Sequence, residues 1–239
     1  MLRVAHVGGN EKFMHENETP LSLDPQSAVS SAQHAIRHIG EAALVRLEAV
    51  NTAREKALAE TRQIVRLAAN AIRAVHRGEY EEADRLLIQA EAIHTAVRGL
   101  RETFPALYWT GYVQDAQKEY TEARLVRALI GGTSLPTPDV LAVSEPVYLN
   151  GLGEAAGELR RHLLDMLRSG DLPAAEAALT LMDEIFGLLV TVDYPDAVTN
   201  GLRRTTDLVR GVLERSRGDL TLTTRQMRLE AALRHSAGE

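Results

Sequence analysis

The chain has 239 residues, of which 45% are hydrophobic and 25% are charged, and it contains no cysteine. The missing cysteines exclude disulfides, thiolate metal ligands and thiol catalysis, and the net charge of −6 argues against a surface that is basic all round. Any contact with nucleic acid must therefore use a local patch.

The composition favours an all-α protein, because Ala, Leu, Arg and Glu dominate while aromatic residues make up only 4%. No apolar run approaches the roughly 18 residues that span a bilayer, and the N-terminus lacks the apolar core of a signal peptide. We expect a cytoplasmic protein that has no membrane partner.

Three segments are predicted along the chain. Residues 1–25 combine Gly, Asn and Pro with little periodicity, which is typical of a disordered tail. Residues 26–220 carry helical patterns without a credible strand, and we predict a single domain there, a bundle of six or seven antiparallel helices. Residues 221–239 are expected to form a C-terminal helix or tail.

The first helical pattern begins near Pro25 and runs to Gly78, with a candidate break at Gly40. Its polar side carries an arginine stripe, because separations of 4, 11 and 15 residues return to nearly the same angle of a helix. The stripe consists of Arg62, Arg66, Arg73 and Arg77. It is either a solvated charged face or a surface that contacts phosphates.

A second helix is predicted from about residue 81 to residue 103, and a third from about residue 110 to residue 130. In the third helix Glu119 and Glu122 share the apolar side. The opposite side, which we expect to face solvent, carries Gln114, Gln117, Lys118, Thr121 and Arg124. Two carboxylates on an apolar side must be paired, protonated or bound to a cation, because an isolated buried charge costs several kcal/mol.

The next predicted helix begins near Pro146 and ends before Gly170, and it carries Glu154 and Glu158 one turn apart. Taken alone, this pair resembles a solvated row of salt bridges that continues to Arg161. Glycines at positions 151, 153 and 157 cost the helix roughly 1 kcal/mol each, which indicates the close approach of another helix or a ligand.

Two further helices are predicted at about residues 173–190 and 195–217, with Gly218 as the stop and a short helix after Thr221.

The two glutamate pairs would face each other if their helices packed antiparallel. Such a cluster cannot stay fully ionised without a cation, because like charges a few Å apart raise each other's pKa. Oxygen ligands without His or Cys favour Mg²⁺ or Mn²⁺. A divalent ion held in this way typically polarises a phosphoryl oxygen and activates water, so phosphodiester hydrolysis is the natural reaction.

Several short segments, in this order and spacing, resemble one known family. They are TRQI at residues 61–64, HR at 76–77, EYTEA at 119–123, YLNG at 148–151, GEL at 157–159 with Arg161, GD at 170–171, and RG at 217–218. Over roughly residues 27–220 the chain resembles the translin family, and within it the catalytic TRAX-like members and their prokaryotic relatives.

The resemblance implies an all-α subunit that assembles into a hollow homo-oligomer, a hexamer to an octamer, and binds single-stranded RNA or single-stranded DNA. TRAX-like members also cut RNA with Mg²⁺. The acidic residues of the family fall on Glu119, Glu122, Glu154 and Glu158, although TRAX has Asp at the position of Glu154. A closed shell would confine basic residues such as Arg62, Arg66 and Arg161 to its inner wall.

We therefore expect a Mg²⁺-dependent endoribonuclease that acts on single-stranded or small structured RNA. Glu119, Glu122 and Glu158 would bind the metal, and Glu154 would be a further ligand or the base that activates water. One alternative is a non-catalytic single-stranded nucleic-acid-binding protein of the translin type. Another is a structural helical protein whose acidic face is an assembly surface.

Overall fold

The computed structural model describes residues 24–236, so nearly all of the tail predicted for residues 1–25 lies outside the described part of the chain. Residues 24–236 form an all-α structure without strands, as predicted. The helices are α1 (Pro25–His76), α2 (Tyr80–Arg98), α3 (Leu100–Thr103), α4 (Pro105–Tyr108), α5 (Gly111–Gly131), α6 (Pro138–Leu141), α7 (Glu145–Ser169), α8 (Leu172–Val190), α9 (Asp196–Thr199) and α10 (Leu202–Ser236).

Six of these helices are long, and the other four are single turns, so the predicted number of main helices is confirmed within residues 24–236. None of the helices among these residues is both long and apolar enough to cross a membrane.

The chain divides into two compact units, residues 1–49 and residues 50–239. Within the first unit, α1 is continuous through Gly40, so the break considered there is wrong. A single helical glycine costs only about 1 kcal/mol relative to alanine, which a long helix tolerates. Within residues 24–49, the large apolar side chains that are exposed are Val29, Ile36, Ile39, Leu44, Val45 and Leu47.

Helix α7 is the centre of the second unit. It packs against α5, α8 and α10, and α5 also packs against α2. The apolar stripe of α7 is buried in these contacts, with Leu159 1% exposed and Leu163 fully buried. The unit therefore builds its core around one helix, and the residues of α7 decide how close its neighbours come.

Two glycines of α7 let neighbouring helices approach it closely. A Cβ atom on Gly151 would lie 3.1 Å from Thr121 Cγ2 and 3.2 Å from the Lys118 backbone oxygen of α5. A Cβ atom on Gly153 would collide with Thr205 Cγ2 of α10, whereas nothing lies within 4 Å of a Cβ atom on Gly157. The predicted close approach is confirmed at two of the three glycines.

Helix α5 is buried on more than one side, which corrects the prediction that its polar side faces solvent. Gln117 and Thr121 are both fully buried. Thr121 faces Gly151 of α7, and Gln117 Oε1 accepts a hydrogen bond of 3.3 Å from the Tyr108 hydroxyl. Because α5 lies between α2 and α7, helical periodicity alone does not identify its solvated side.

The C-terminal helix is longer than predicted. Helix α10 continues through Gly218 to Ser236, so the predicted stop at Gly218 is wrong. Ser216 is fully buried, and the Arg160 guanidinium donates to its hydroxyl at 3.0 Å and to Asp219 at 2.8 Å. These contacts on both sides of Gly218 offset its low helix propensity.

We predict opposite effects of alanine at two glycines of α7. G151A forces its Cβ atom against the α5 backbone and lowers the free energy of unfolding by about 1–3 kcal/mol, the usual cost of overpacking. G157A, the matched control, has open space and raises that free energy by up to about 1 kcal/mol, because alanine is the better helix former. Urea unfolding of both variants measures the difference. Equal stability of G151A and G157A would contradict the close contact.

Candidate metal centre

Three glutamates from two helices meet on one side of the contact between α5 and α7. One carboxylate oxygen from each of Glu119, Glu122 and Glu154 lies within 4.8 Å of the others. We call these residues the glutamate trio. Gly151 lies one turn before Glu154 and packs against α5 between Lys118 and Thr121, so the same close contact brings the carboxylates of the two helices together.

Burial and mutual repulsion act on the α5 carboxylates of the trio. Glu122 is 9% exposed, and its burial, followed by the charges of Glu154, Glu119 and Glu158, raises its pKa to about 8. Burial and the Glu154 charge also raise the pKa of Glu119. At neutral pH the protonated form of the Glu122 carboxyl is therefore favoured in the absence of a cation, chiefly because the side chain is buried and further because carboxylates lie near it.

Lys118 supplies part of the missing positive charge. Its Nζ atom donates to Glu154 Oε1 at 2.6 Å and lies 4.0 Å from Glu119 Oε1. Burial opposes the ammonium form, but the hydrogen bond and charge of Glu154, together with the charges of Glu119 and Asp115, raise the Lys118 pKa. The side chain was predicted to face solvent, yet only 23% of it is exposed.

The fourth glutamate of the predicted site has a different partner. The His76 Nε2 atom of α1 donates to Glu158 Oε2 at 2.5 Å, and this bond lowers the Glu158 pKa more than burial raises it. Only 3% of the His76 side chain is exposed, and its buried Nδ1 atom has no hydrogen-bond partner within residues 24–236. Glu158 lies close enough to raise the Glu122 pKa, but it is not a member of the trio.

Sequence reasoning missed two residues of this site. Lys118 lies next to Glu119 in the sequence, but its helical angle placed it with the residues predicted to face solvent. His76 belongs to a segment that resembles the translin family, where it received no role. The signal that could have found it is its position four residues after the buried Ile72, in the apolar register of α1.

The arginines predicted to contact nucleic acid are all exposed. Arg73 donates a hydrogen bond to Asn70 Oδ1 at 2.5 Å, and Arg77 donates one to Glu79 Oε2 at 2.6 Å. Each of these partners is close to its arginine in the sequence. Arg161 lies 3.8 Å from Glu158 Oε2. The structure thus places Arg161 next to the predicted acidic site and the arginine stripe on the solvated side of α1.

A cavity of about 530 Å³ adjoins the glutamate trio. It lies between α5, α7 and the start of α10. Lys118 and Glu154 are part of its wall, and so are Arg204 and Thr205. The α10 side of the cavity is fixed by Asn150, whose side-chain NH₂ donates to the Thr199 carbonyl at 3.0 Å and whose Oδ1 accepts from the Thr205 hydroxyl at 2.6 Å.

The trio fits a hard divalent cation. All three donors are carboxylate oxygens, which Mg²⁺ and Mn²⁺ prefer, and no Cys or His nitrogen competes within the trio. Burial and the neighbouring carboxylates raise the pKa of Glu122 more than the Lys118 charge lowers it, so the ionised form of Glu122 is only partly compensated. A bound cation would supply that partner.

No protein-family model matches the chain. The chain is 28% identical over 187 residues to the uncharacterized protein MJ0175 of Methanocaldococcus jannaschii, a match that covers 77% of this chain and 82% of the relative.

Among solved structures, the crystal structure of AfC3PO is 32% identical, with a TM-score of 0.72 and coverage of 78% of this chain and 97% of that protein. A structure of AfC3PO in complex with duplex RNA is also 32% identical, with a TM-score of 0.70 and coverage of 78% and 96%. The crystal structure of apo-NeC3PO has a TM-score of 0.69 at 20% identity, with coverage of 77% and 96%, and it shares the fold.

We predict that Glu122 makes the metal-free protein less stable as pH rises. Its pKa is about 8 in the folded state and about 4.3 in the unfolded chain, so its contribution is fully present below pH 4 and is lost between about pH 4 and 8. Over that window Glu122 lowers the free energy of unfolding by up to about 1.4 kcal/mol per pH unit. Urea unfolding in EDTA at several pH values measures the slope.

The matched variant is E122Q, which keeps the size of the side chain and cannot ionise. Its pH slope should be less negative than that of the wild type across the same window, and the two should converge at low pH. Identical slopes for the two proteins would show that Glu122 ionises normally.

Proposed function

The chain belongs to the translin family, and we propose that it is a Mg²⁺- or Mn²⁺-dependent endoribonuclease that binds and cuts single-stranded or small structured RNA. The observation that carries the proposal is the glutamate trio, three carboxylates delivered by two helices to within 4.8 Å of one another. The duplex RNA complex of AfC3PO supports nucleic acid as the ligand.

We assign the metal to the trio, with Glu158 as a fourth ligand. When bound, the ion would polarise a phosphoryl oxygen and lower the pKa of a water molecule. Glu119 and Glu122 of α5 would hold the ion, and Glu154 of α7 would be a further ligand or the base that accepts the proton of the attacking water. Glu158 would complete the ligand set while its Oε2 accepts the hydrogen bond from His76 Nε2.

The proton on Glu122 is central to how the site would change on binding the ion. At pH 7 the metal-free carboxyl is mostly protonated because its pKa is about 8. A carboxylate must lose this proton to become a metal ligand. The proton on Glu122 therefore spares the metal-free protein the full repulsion of three ionised carboxylates, and a bound cation would favour the ionised form of Glu122.

The arginine stripe and Arg161 are proposed to hold the RNA backbone. Their guanidinium groups are exposed, and such groups bind phosphate oxygens in a fork geometry. Exposed guanidinium groups of this kind fit an RNA ligand despite the net charge of −6. We further propose that the protein is a homo-oligomer of six to eight subunits whose shell encloses these residues.

One observation favours the non-catalytic alternative, single-stranded RNA or DNA binding without cleavage. The Lys118 ammonium already neutralises part of the trio, as it would in a purely structural ion-pair network. The two functions differ in one respect that is easy to measure: binding alone needs no divalent cation, whereas cleavage does.

We predict that purified protein cleaves labelled single-stranded RNA with Mg²⁺ or Mn²⁺ and not with EDTA. E122Q should cut at least about 100-fold more slowly, because it loses a negatively charged ligand of the metal that activates the reacting phosphate. E176Q, which neutralises an exposed glutamate of α8, is the matched control and should cut normally. RNA that binds but stays intact with either ion would select the non-catalytic alternative.

We predict that the arginine stripe contributes to RNA affinity through phosphate contacts. R62A/R66A should weaken binding to RNA of any sequence, and each lost contact should reduce the slope of log K against log salt by about 0.7–1. R228A, at an exposed position of α10, is the control. Filter binding at several salt concentrations measures both quantities. An unchanged slope would mean that the stripe is a solvated face.

A further inference from the structure

We propose that Lys118 is a catalytic residue that binds the scissile phosphodiester beside the metal, and that it competes with the ion for the carboxylates until RNA arrives. This inference rests on the proposed function. It adds a residue that sequence reasoning had placed with the solvated side of α5.

The ammonium group of Lys118 lies beside two carboxylates of the trio. Lys118 Nζ lies 2.6 Å from Glu154 Oε1 and 4.0 Å from Glu119 Oε1, so it stands between the two helices at the edge of the trio. Both of these carboxylates belong to the candidate metal centre. A divalent ion that takes the same oxygens competes directly with the ammonium.

The Lys118 ammonium would lose its present partners if an ion occupied the trio. A bound divalent cation would compete for the Glu154 and Glu119 charges and would repel the ammonium beside them. The lysine has three donors on a flexible four-carbon stem, so it can turn to another anion without moving the backbone. With 23% of its side chain exposed, Lys118 has access to an arriving ligand.

Lys118 also lines the cavity of about 530 Å³ that adjoins the trio. Glu154 lies on the same wall, and Arg204 supplies a second positive group. A phosphodiester in this cavity would meet the Lys118 ammonium beside a carboxylate of the candidate metal centre. Asp115 and Asp196 also line it, which favours a ligand that carries hydroxyl donors as well as phosphate, such as a ribonucleotide chain.

The competing explanation is a structural ion pair in which Lys118 braces Glu154 between α5 and α7. The two explanations predict opposite signs for one quantity, the affinity for the metal. Removing a cation that competes for the carboxylates strengthens metal binding. Removing an ion-pair partner that holds Glu154 in place lets this ligand move and weakens metal binding. Metal affinity in the absence of RNA therefore separates them without any reference to catalysis.

The experiment compares wild type, K118M and K118R. Calorimetry with Mn²⁺ alone gives the affinity, and RNA cleavage under saturating Mn²⁺ gives kcat and KM. K118M should bind Mn²⁺ at least about 3-fold more tightly, because one nearby positive charge is gone. Its kcat should fall by about 100-fold, the usual loss for one charge-stabilising donor. K118R, which keeps the charge, should retain much more of the rate.

K56M is the matched control, because Lys56 is 72% exposed and pairs with Glu60 within α1. It should change neither quantity. Weaker Mn²⁺ binding by K118M, or tighter binding with an unchanged kcat, would overturn the proposal. A wild type that cuts no RNA would contradict the proposed function and with it the catalytic role, whereas equal cleavage by wild type and K118M contradicts the role of Lys118 alone.

Discussion

The contact between α5 and α7 at Gly151 is the constraint on which the candidate site depends. It puts the backbone of one helix against a residue that has no side chain, and it thereby brings Glu119 and Glu122 within reach of Glu154. This close packing is electrostatically unfavourable, because it buries like charges and brings them near one another. The protein limits the repulsion with the Lys118 ammonium and with a proton on Glu122.

The same balance explains why the site suits a divalent ion. In the metal-free state the Lys118 ammonium and the proton on Glu122 together offset negative charge of the three carboxylates. A bound divalent ion would supply two positive charges in place of both. Glu158 stands apart because the buried His76 already gives it a partner and keeps its pKa low.

Much of this arrangement follows from the sequence, because the main helices, the glutamates on an apolar side and the close approach at Gly151 are all local patterns. The solvated side of α5 could not be predicted, since α2 and α7 cover it from two directions and Gln117 becomes buried. The continuation of α10 past Gly218 likewise depends on tertiary contacts. The partners of Lys118 and His76 lie 36 and 82 residues away in sequence, so no local pattern reveals them.

Titration of Mn²⁺ into wild type, E119Q and E154Q tests most directly whether carboxylates from two different helices form one divalent-ion site. We expect saturable binding by the wild type and a loss of affinity of at least about 10-fold from a change on either helix. Mn²⁺ binding that is unchanged in both variants, or absent from the wild type, would contradict it.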